Sequence, residues 1–173
     1  PVAGGEALVV INVGSQVDAL AVFTDPATGA LRLACGCFDG KVRIFDPVAG
    51  DEALVVIDAG SLVHELALFA DPATGEMRIA CGCNDDKVHI IDPVAGGEAL
   101  VVLEGHTSSV DALTVFTDQA TGGLRLASGS NDSSVRIWDL AAGGAALFVL
   151  EGHTAKVYAL TAFADPATGE TRL

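Results

Sequence analysis

Short apolar stretches separated by turn-forming residues follow one another along the whole chain, always in the same order. Four types recur, and in the first repeat they read ALVVI, VDALAVF, LRLACGC and KVRIFD. Each stretch is rich in Val, Ile, Leu and Phe and is bounded by Gly, Pro, Asp or Thr, which is the pattern of β-strands. We therefore expect strands throughout the chain and no helices.

The four stretches recur with a period of about 46 residues, so the chain is an array of repeats. The repeats cover residues 1–46, 47–92, 93–139 and 140–173, and the last one is shorter than the others. Four short strands joined by tight turns predict an antiparallel meander, and nearly continuous apolar runs indicate that both faces of each sheet are covered. Small sheets packed face to face around an axis meet this requirement, which predicts one all-β domain with a β-propeller fold. Asp39 and Gly40 predict a two-residue hairpin turn in which both residues take positive φ.

The charge of the chain excludes several classes of function. Nine Lys and Arg against 23 Asp and Glu give a net charge of −14, which argues against nucleic-acid binding and against an anionic membrane surface. The mean hydropathy is positive, but no apolar run approaches the roughly 18 residues that a membrane span requires. Without a signal-like segment and with free thiols, we expect an intracellular, cytoplasmic location.

The third repeat carries residues that point to a known family. Gly105 and His106 precede SGSND, and Trp138 with Asp139 follows; this pattern resembles the WD-repeat β-propeller family. Gly152 and His153 begin a second such unit. The resemblance implies a hydrogen-bonded tetrad that locks one blade, made of His106, Ser128, Asp132 and Trp138.

The first two repeats depart from this pattern. Their loops hold Val13-Gly14 and Ala59-Gly60 without a His, and Cys35 and Cys81 replace the Ser. Phe45 and Ile91 replace the Trp, while Asp39 and Asp85 remain. Replacing the partners of a buried network together by apolar groups costs little, whereas removing one partner strands the others. We therefore predict that His106→Ala destabilises the protein and that His89→Ala costs little.

The resemblance also implies that the first stretch of each repeat is the outer strand of the preceding blade. Whole blades then cover about 17–57, 63–103 and 110–150, leaving residues 7–11 as an outer strand without its blade. Residues 157–173 form an inner strand and the start of a second one. Three whole blades cannot close a ring, so we expect a natural protein with more repeats and exposed strand edges that favour self-association into an oligomer.

Few residues have the arrangement of a catalytic or metal site. Cys35 and Cys37, like Cys81 and Cys83, align with Ser128 and Ser130, so small buried strand residues are expected in preference to zinc ligands. His64 and Glu65 are neighbours on a strand and so point to opposite faces. No phosphate loop, nucleophile elbow or paired-His motif occurs. We expect no enzyme activity, no cofactor and no metal.

The two rims of the propeller remain as binding surfaces. One rim is acidic, and it is either a solvated face or a dock for a basic partner; its acids are Asp25, Asp46, Glu52, Asp71, Glu76, Asp92, Glu98, Asp118, Asp165 and Glu170. The resemblance implies that peptides bind the opposite rim, and there the candidate face is Gln16, Phe38, Leu62, Asn84, Ser109, Asn131 and Lys156. Phe38 and Leu62 are the expected anchors.

The sequence favours a non-catalytic scaffold that binds protein or peptide partners. A regulatory or sensory propeller attached to an enzyme or signalling protein is the alternative, and flanking sequence would discriminate the two. A catalytic or metal-binding propeller would rest only on the Cys pairs and His64.

Overall fold

The computed structural model describes residues 8–50 and 52–173, which form short strands joined by turns. No helix occurs in this part of the chain, as the sequence predicts. Accordingly, these residues offer no helix with the length and hydrophobicity of a membrane span. In chain order the strands are β1 (Val17–Thr24), β2 (Leu31–Cys37), β3 (Lys41–Phe45), β4 (Val55–Asp58), β5 (Val63–Ala70), β6 (Met77–Cys83), β7 (Val88–Ile91), β8 (Val101–Leu103), β9 (Val110–Thr117), β10 (Leu124–Ser130), β11 (Val135–Asp139), β12 (Phe148–Leu150), β13 (Phe163–Ala164) and β14 (Thr171–Arg172).

Three four-stranded antiparallel sheets form the body of the molecule. Their strand orders are β1-β2-β3-β4, β5-β6-β7-β8 and β9-β10-β11-β12, and β13 pairs with β14 in a smaller fourth sheet. We call them blades 1 to 4. The outer strand of each complete blade belongs to the sequence repeat that follows, because β4, β8 and β12 come from the next ALVVI-type stretch. The predicted all-β fold of four-stranded antiparallel blades is confirmed.

The core lies between the blades. Inner strands β1, β5 and β9 lie next to one another, and each contributes alternate residues to the layers on either side of it. Ile44 and Ile57 of blade 1 pack in one cluster with Val63 and Ile79 of blade 2, and all four are almost fully buried. Burial on both faces explains why the strands are apolar nearly throughout.

A glycine in each second strand allows this close approach of the blades. A Cβ on Gly36 would lie 2.7 Å from Val63 Cγ1, and one on Gly82 would lie 2.8 Å from the carbonyl oxygen of Val110. Gly129 meets Val157 in the same way. The middle glycine of each CGC or SGS stretch therefore leaves room for a valine of the next blade.

The turn between β2 and β3 differs from the prediction. Cys37 and Lys41 flank a three-residue connection, and only its last residue, Gly40, has a positive φ, 78°. The two-residue turn predicted at Asp39 and Gly40 is therefore wrong. Such a three-residue hairpin needs one left-handed residue next to the strand. Blades 2 and 3 place Asp86 and Ser133 at this position, each with a φ of 68°.

Both ends of the chain depart from the predicted strands. Residues 8–11 form no strand, although Val9 lies against Gly50 as Val55 lies against Gly96. They therefore occupy the place of an outer strand without a neighbour to pair with; Ala7 lies outside the described residues. In blade 4 only β13 and β14 are paired, and residues 157–162 are not strand. In blade 1, the corresponding part of the inner strand, Val17–Val22, pairs with the last five residues of β2, Leu33–Cys37.

Candidate functional site

Blade 3 brings the four predicted tetrad residues together around one buried imidazole. His106, in the loop before β9, has Nε2 2.8 Å from Ser128 Oγ and Nδ1 2.8 Å from Asp132 Oδ2. Trp138 donates its indole N–H to Ser128 Oγ over 2.8 Å, and its ring lies edge-on to the imidazole. Four elements are thereby tied together: the loop before β9, β10, the following turn and β11.

The donors and acceptors of this network agree with a neutral His106. Indole N–H can only donate, and a carboxylate can only accept, so Trp138 donates to Ser128 and His106 Nδ1–H donates to Asp132. In the neutral ring, Nε2 then accepts a hydrogen bond from the Ser128 hydroxyl. Burial lowers the pKa of His106 and outweighs the opposite effect of Asp132, which agrees with a neutral ring.

Asp132 is held as a carboxylate. Burial alone would raise its pKa, but hydrogen bonds from the Ser134 hydroxyl, the Thr107 amide, His106 and the Ser134 amide outweigh it. The pKa of Asp132 therefore lies well below its ordinary value. The Thr107 and Ser134 amides lie 3.0 and 2.9 Å from its oxygens, so the carboxylate also fixes the turn after β10.

Blades 1 and 2 fill the same place with apolar groups and thiols. Phe45 and Ile91 replace the indole, and Cys35 and Cys81 replace the serine; all four are almost fully buried. Burial raises the pKa of Cys35 to about 11, so this thiol is neutral at neutral pH. At this position blades 1 and 2 pack apolar side chains where blade 3 forms hydrogen bonds.

The candidate partner-binding residues lie on one rim, where each turn after a second strand meets the loop entering an inner strand. Backbone N–H groups link the two: Phe38 donates to Gln16 O over 2.9 Å, and Asn84 donates to Leu62 O over 3.0 Å. The same bond joins Asn131 to Ser109 in blade 3. The fold therefore repeats this pair three times along the rim.

Exposure separates these candidates. Phe38 is 58% exposed, Gln16, Asn84 and Lys156 are exposed, and Asn131 is half-buried. Leu62 is half-buried and Ser109 is buried, so Leu62 offers less surface to a partner than Phe38 does, and its role as an anchor stays a prediction. Phe38 is a large apolar side chain that this rim presents to solvent.

Many acids of the opposite rim form the turns on which they lie. Asp71 Oδ1 accepts the amide of Ala73 over 2.8 Å, which is an Asx turn. Hydrogen bonds of this kind, with Thr28 in the case of Asp25 and turn amides in the case of Asp46, lower the pKa of both carboxyls. The same turn is made by Asp25, Asp46, Asp92, Asp118, Asp139 and Asp165.

An arginine ladder on this acidic rim was missed by the sequence reasoning. Arg78 contacts Asp92 at 3.0 Å and also Glu76, and Arg125 contacts Asp139 at 2.9 Å. The signal was present in the sequence, because an Arg recurs at the second position of β2, β6 and β10, while an Asp directly follows β3 and β7 and is the last residue of β11. Much of the rim's negative charge is therefore already paired.

His64 and Glu65 do not act on each other in the structure. His64 Nε2 lies 3.4 Å from Asn84 Oδ1 and 3.6 Å from Asp111 Oδ1, whereas Glu65 accepts the amide of Leu66. A β-bulge lies between Val63 and Glu65.

Another group of side chains does converge on one hairpin. The ligand atoms of Cys83, Asp85 and His89 lie within 4.8 Å of one another.

Comparison with known proteins finds one matching repeat in the sequence and several similar solved structures. The sequence profile of the WD domain, G-beta repeat matches residues 97–139, which include the tetrad. No curated protein matches the chain by sequence. Among solved structures, the computationally designed Ika4 protein is similar with a TM-score of 0.72 and 25% identity, over 98% of this chain and 97% of that one.

Larger propellers share the same fold. The computationally designed Ika8 protein matches with a TM-score of 0.68 and 27% identity, over 93% of this chain and 44% of that one. The RRP9 WD40 repeats match with a TM-score of 0.68 and 23% identity, over 86% of this chain and 42% of theirs. The chain thus spans less than half the length of these two. Residues 97–139 therefore match a WD repeat, and the chain as a whole shares the fold of these propellers.

Proposed function

We propose that the chain is a non-catalytic scaffold that binds a protein or peptide on the rim formed by Gln16, Phe38, Leu62, Asn84, Ser109, Asn131 and Lys156. WD-repeat domains generally mediate protein–protein interaction. The rim is built from turns held by a rigid sheet, which is where binding residues concentrate in repeat folds.

Phe38 is the observation that carries this proposal. It is 58% exposed, although its backbone is fixed by the hydrogen bond to Gln16. Blades 2 and 3 place the polar residues Asn84 and Asn131 at the same point of the turn. An aromatic side chain on a rigid turn is an anchor of the kind that dominates interface energy.

Selection of peptides from a displayed library tests this role. We expect peptides selected on the chain to bind it and to lose at least about tenfold in affinity against Phe38→Asn, about 1.4 kcal/mol. Phe38→Asn installs the residue of blades 2 and 3, so its melting temperature should remain close to that of the parent chain. Peptides that bind both proteins equally would contradict the assignment of this rim.

A basic partner is favoured by the charge of the molecule. The net charge of −14 creates a field that raises the association rate of cationic partners. Many acids of the acidic rim form ion pairs or turns, which reduces the contribution of that rim to the attraction of cationic partners. If a basic peptide is selected, its association rate should fall steeply with salt; a rate that does not change with salt would argue against a basic partner.

We also propose self-association through the outward face of β1. Leu20 on this face is 62% exposed, whereas the corresponding Leu66 and Leu113 are 7% and 8% exposed between blades. Val22 is exposed as well. The same repeat makes every interface between blades, so the outward face of β1 has the shape of a surface that another blade covers. A second copy of the chain would supply such a blade.

A further inference from the structure

Cys83, Asp85 and His89 converge on one hairpin of blade 2. Cys83 is the last residue of β6, Asp85 lies in the turn, and His89 is the second residue of β7. Their sulfur, carboxylate and imidazole ligand atoms all lie within 4.8 Å of one another. The hairpin fixes this arrangement, because the pairing of Gly82 with Val88 holds both strands next to the turn.

The corresponding carboxylate is fully satisfied in blades 1 and 3. Asp39 pairs both oxygens with the Arg43 guanidinium, at 3.0 and 2.6 Å. Asp132 accepts hydrogen bonds from His106, Thr107 and Ser134 on its two oxygens. Each of these blades thus closes the site under the turn with a cation or a hydrogen-bond network.

Blade 2 leaves this site incomplete. Asp85 Oδ2 lies 2.9 Å from His89 Nε2, but Asp85 Oδ1 is buried and has no hydrogen-bond partner among the described residues. Buried carboxylate oxygens are normally paired. Cys83 is fully buried, and its Sγ makes one long contact, 3.6 Å to the carbonyl oxygen of Cys81. Three groups that can bind a metal therefore lie together, and Asp85 Oδ1 and Cys83 Sγ can still form further bonds.

The chemistry of the three groups suits one class of ion. Thiolate, imidazole and carboxylate together are ligands of Zn²⁺, and three protein ligands leave one tetrahedral position open. A cleft lined by Asp85, Lys87, Glu104 and His106 reaches this hairpin from solvent. Lys87 is held away from Asp85 by Glu104, with Nζ 2.6 Å from its carboxylate.

We propose that Cys83, Asp85 and His89 bind one zinc-type divalent cation and that the fourth position faces the cleft. As the sulfur–metal bond forms, the Cys83 thiol proton leaves to solvent; the imidazole binds through a neutral nitrogen, and no group is oxidised or reduced. The ion links β6 to β7 where blades 1 and 3 use Arg43 and the His106 network. This proposal departs from the prediction of no metal made from the sequence.

Cobalt(II) titration of the purified full chain, followed by optical spectroscopy, tests the site. We expect one cobalt per chain with a thiolate-to-metal charge-transfer band, displaced by one equivalent of zinc. His89→Arg installs the residue found at Arg43 and Arg136, and Cys83→Ser installs that of Ser130. Both variants should keep the parent far-UV circular dichroism and lose the charge-transfer band.

A gain of binding in blade 1 completes the design. Arg43→His beside Cys37 and Asp39 reproduces the ligand set of blade 2, so the stoichiometry should rise from one to two. The absence of a thiolate band in the parent chain, or its persistence in His89→Arg, would overturn the proposal. A stoichiometry that stays at one in Arg43→His would contradict the inference that the histidine completes the site.

Discussion

Substituting Ser128 and His106 singly and together measures how much the tetrad of blade 3 stabilises the folded chain. Ser128→Ala leaves the Trp138 N–H and His106 Nε2, which both lie 2.8 Å from its Oγ, without partners in a buried site. Each orphan costs about 1–3 kcal/mol, so the two together should cost about 2–6 kcal/mol. His106→Ala removes a hydrogen bond to a carboxylate, worth about 1.5–3 kcal/mol, and the bond to Ser128. Its loss should be similar.

The double variant separates a network from independent contacts. Both single changes destroy the bond between Ser128 and His106, so their sum should exceed the loss in the double variant by about 1–3 kcal/mol. Urea denaturation at constant m-value gives these free energies of unfolding. His89→Ala is the comparison; it removes a single hydrogen bond to the partly exposed carboxylate of Asp85, so its loss should be about 1.5 kcal/mol, the low end of the range for such bonds. Additivity within about 0.5 kcal/mol, or an equal loss for His89→Ala, would refute the network.

Three further predictions follow from the blade interfaces and from His106. Gly82→Ala should cost about 1–3 kcal/mol because its Cβ meets the Val110 backbone oxygen at 2.8 Å; in Gly123→Ala the Cβ meets only the guanidinium end of the flexible Arg125 side chain, so this change should cost less in urea denaturation, and the reverse order would contradict this steric argument. Because the pKa of His106 is lowered on folding, the unfolded chain takes up the proton first, so stability should fall as the pH drops below about 6.5; His106→Gln should lose this slope, and an unchanged slope would exclude His106 as its source. Light scattering should give a mass that rises with concentration towards two chains of 17.5 kDa, and Leu20→Glu should remove this rise; a monomer at all concentrations would contradict self-association.

The repeat period made most of the fold predictable. A strand of this composition can bury two faces only when another sheet covers each of them, so four strands every 46 residues or so lead to stacked blades. The ends were less predictable, because residues 8–11 and 157–162 have strand sequences but lack the neighbours that hydrogen-bond to them. Local pattern sets strand propensity, whereas strand formation requires a partner.

The candidate sites were predictable only where one motif contains the geometry. His106, Ser128, Asp132 and Trp138 occupy positions that a known motif specifies, and the structure brings them into contact. The burial of Ser109 depends on what packs around it in the folded chain, which spacing along the sequence does not encode. The role of Gly82 likewise depends on the distance between two blades.

The same turn aspartate shows how the blades have diverged on one backbone. Asp39 pairs with Arg43, Asp85 with His89, and Asp132 with the His106 network, although the three turns occupy equivalent positions of their repeats. The residue just before each aspartate also varies, from Phe38 to Asn84 and Asn131. Stacking of blades constrains the strands but leaves these positions free to change. Differences between the repeats at the turn after each second strand are therefore the place where a specific function can arise without loss of the fold.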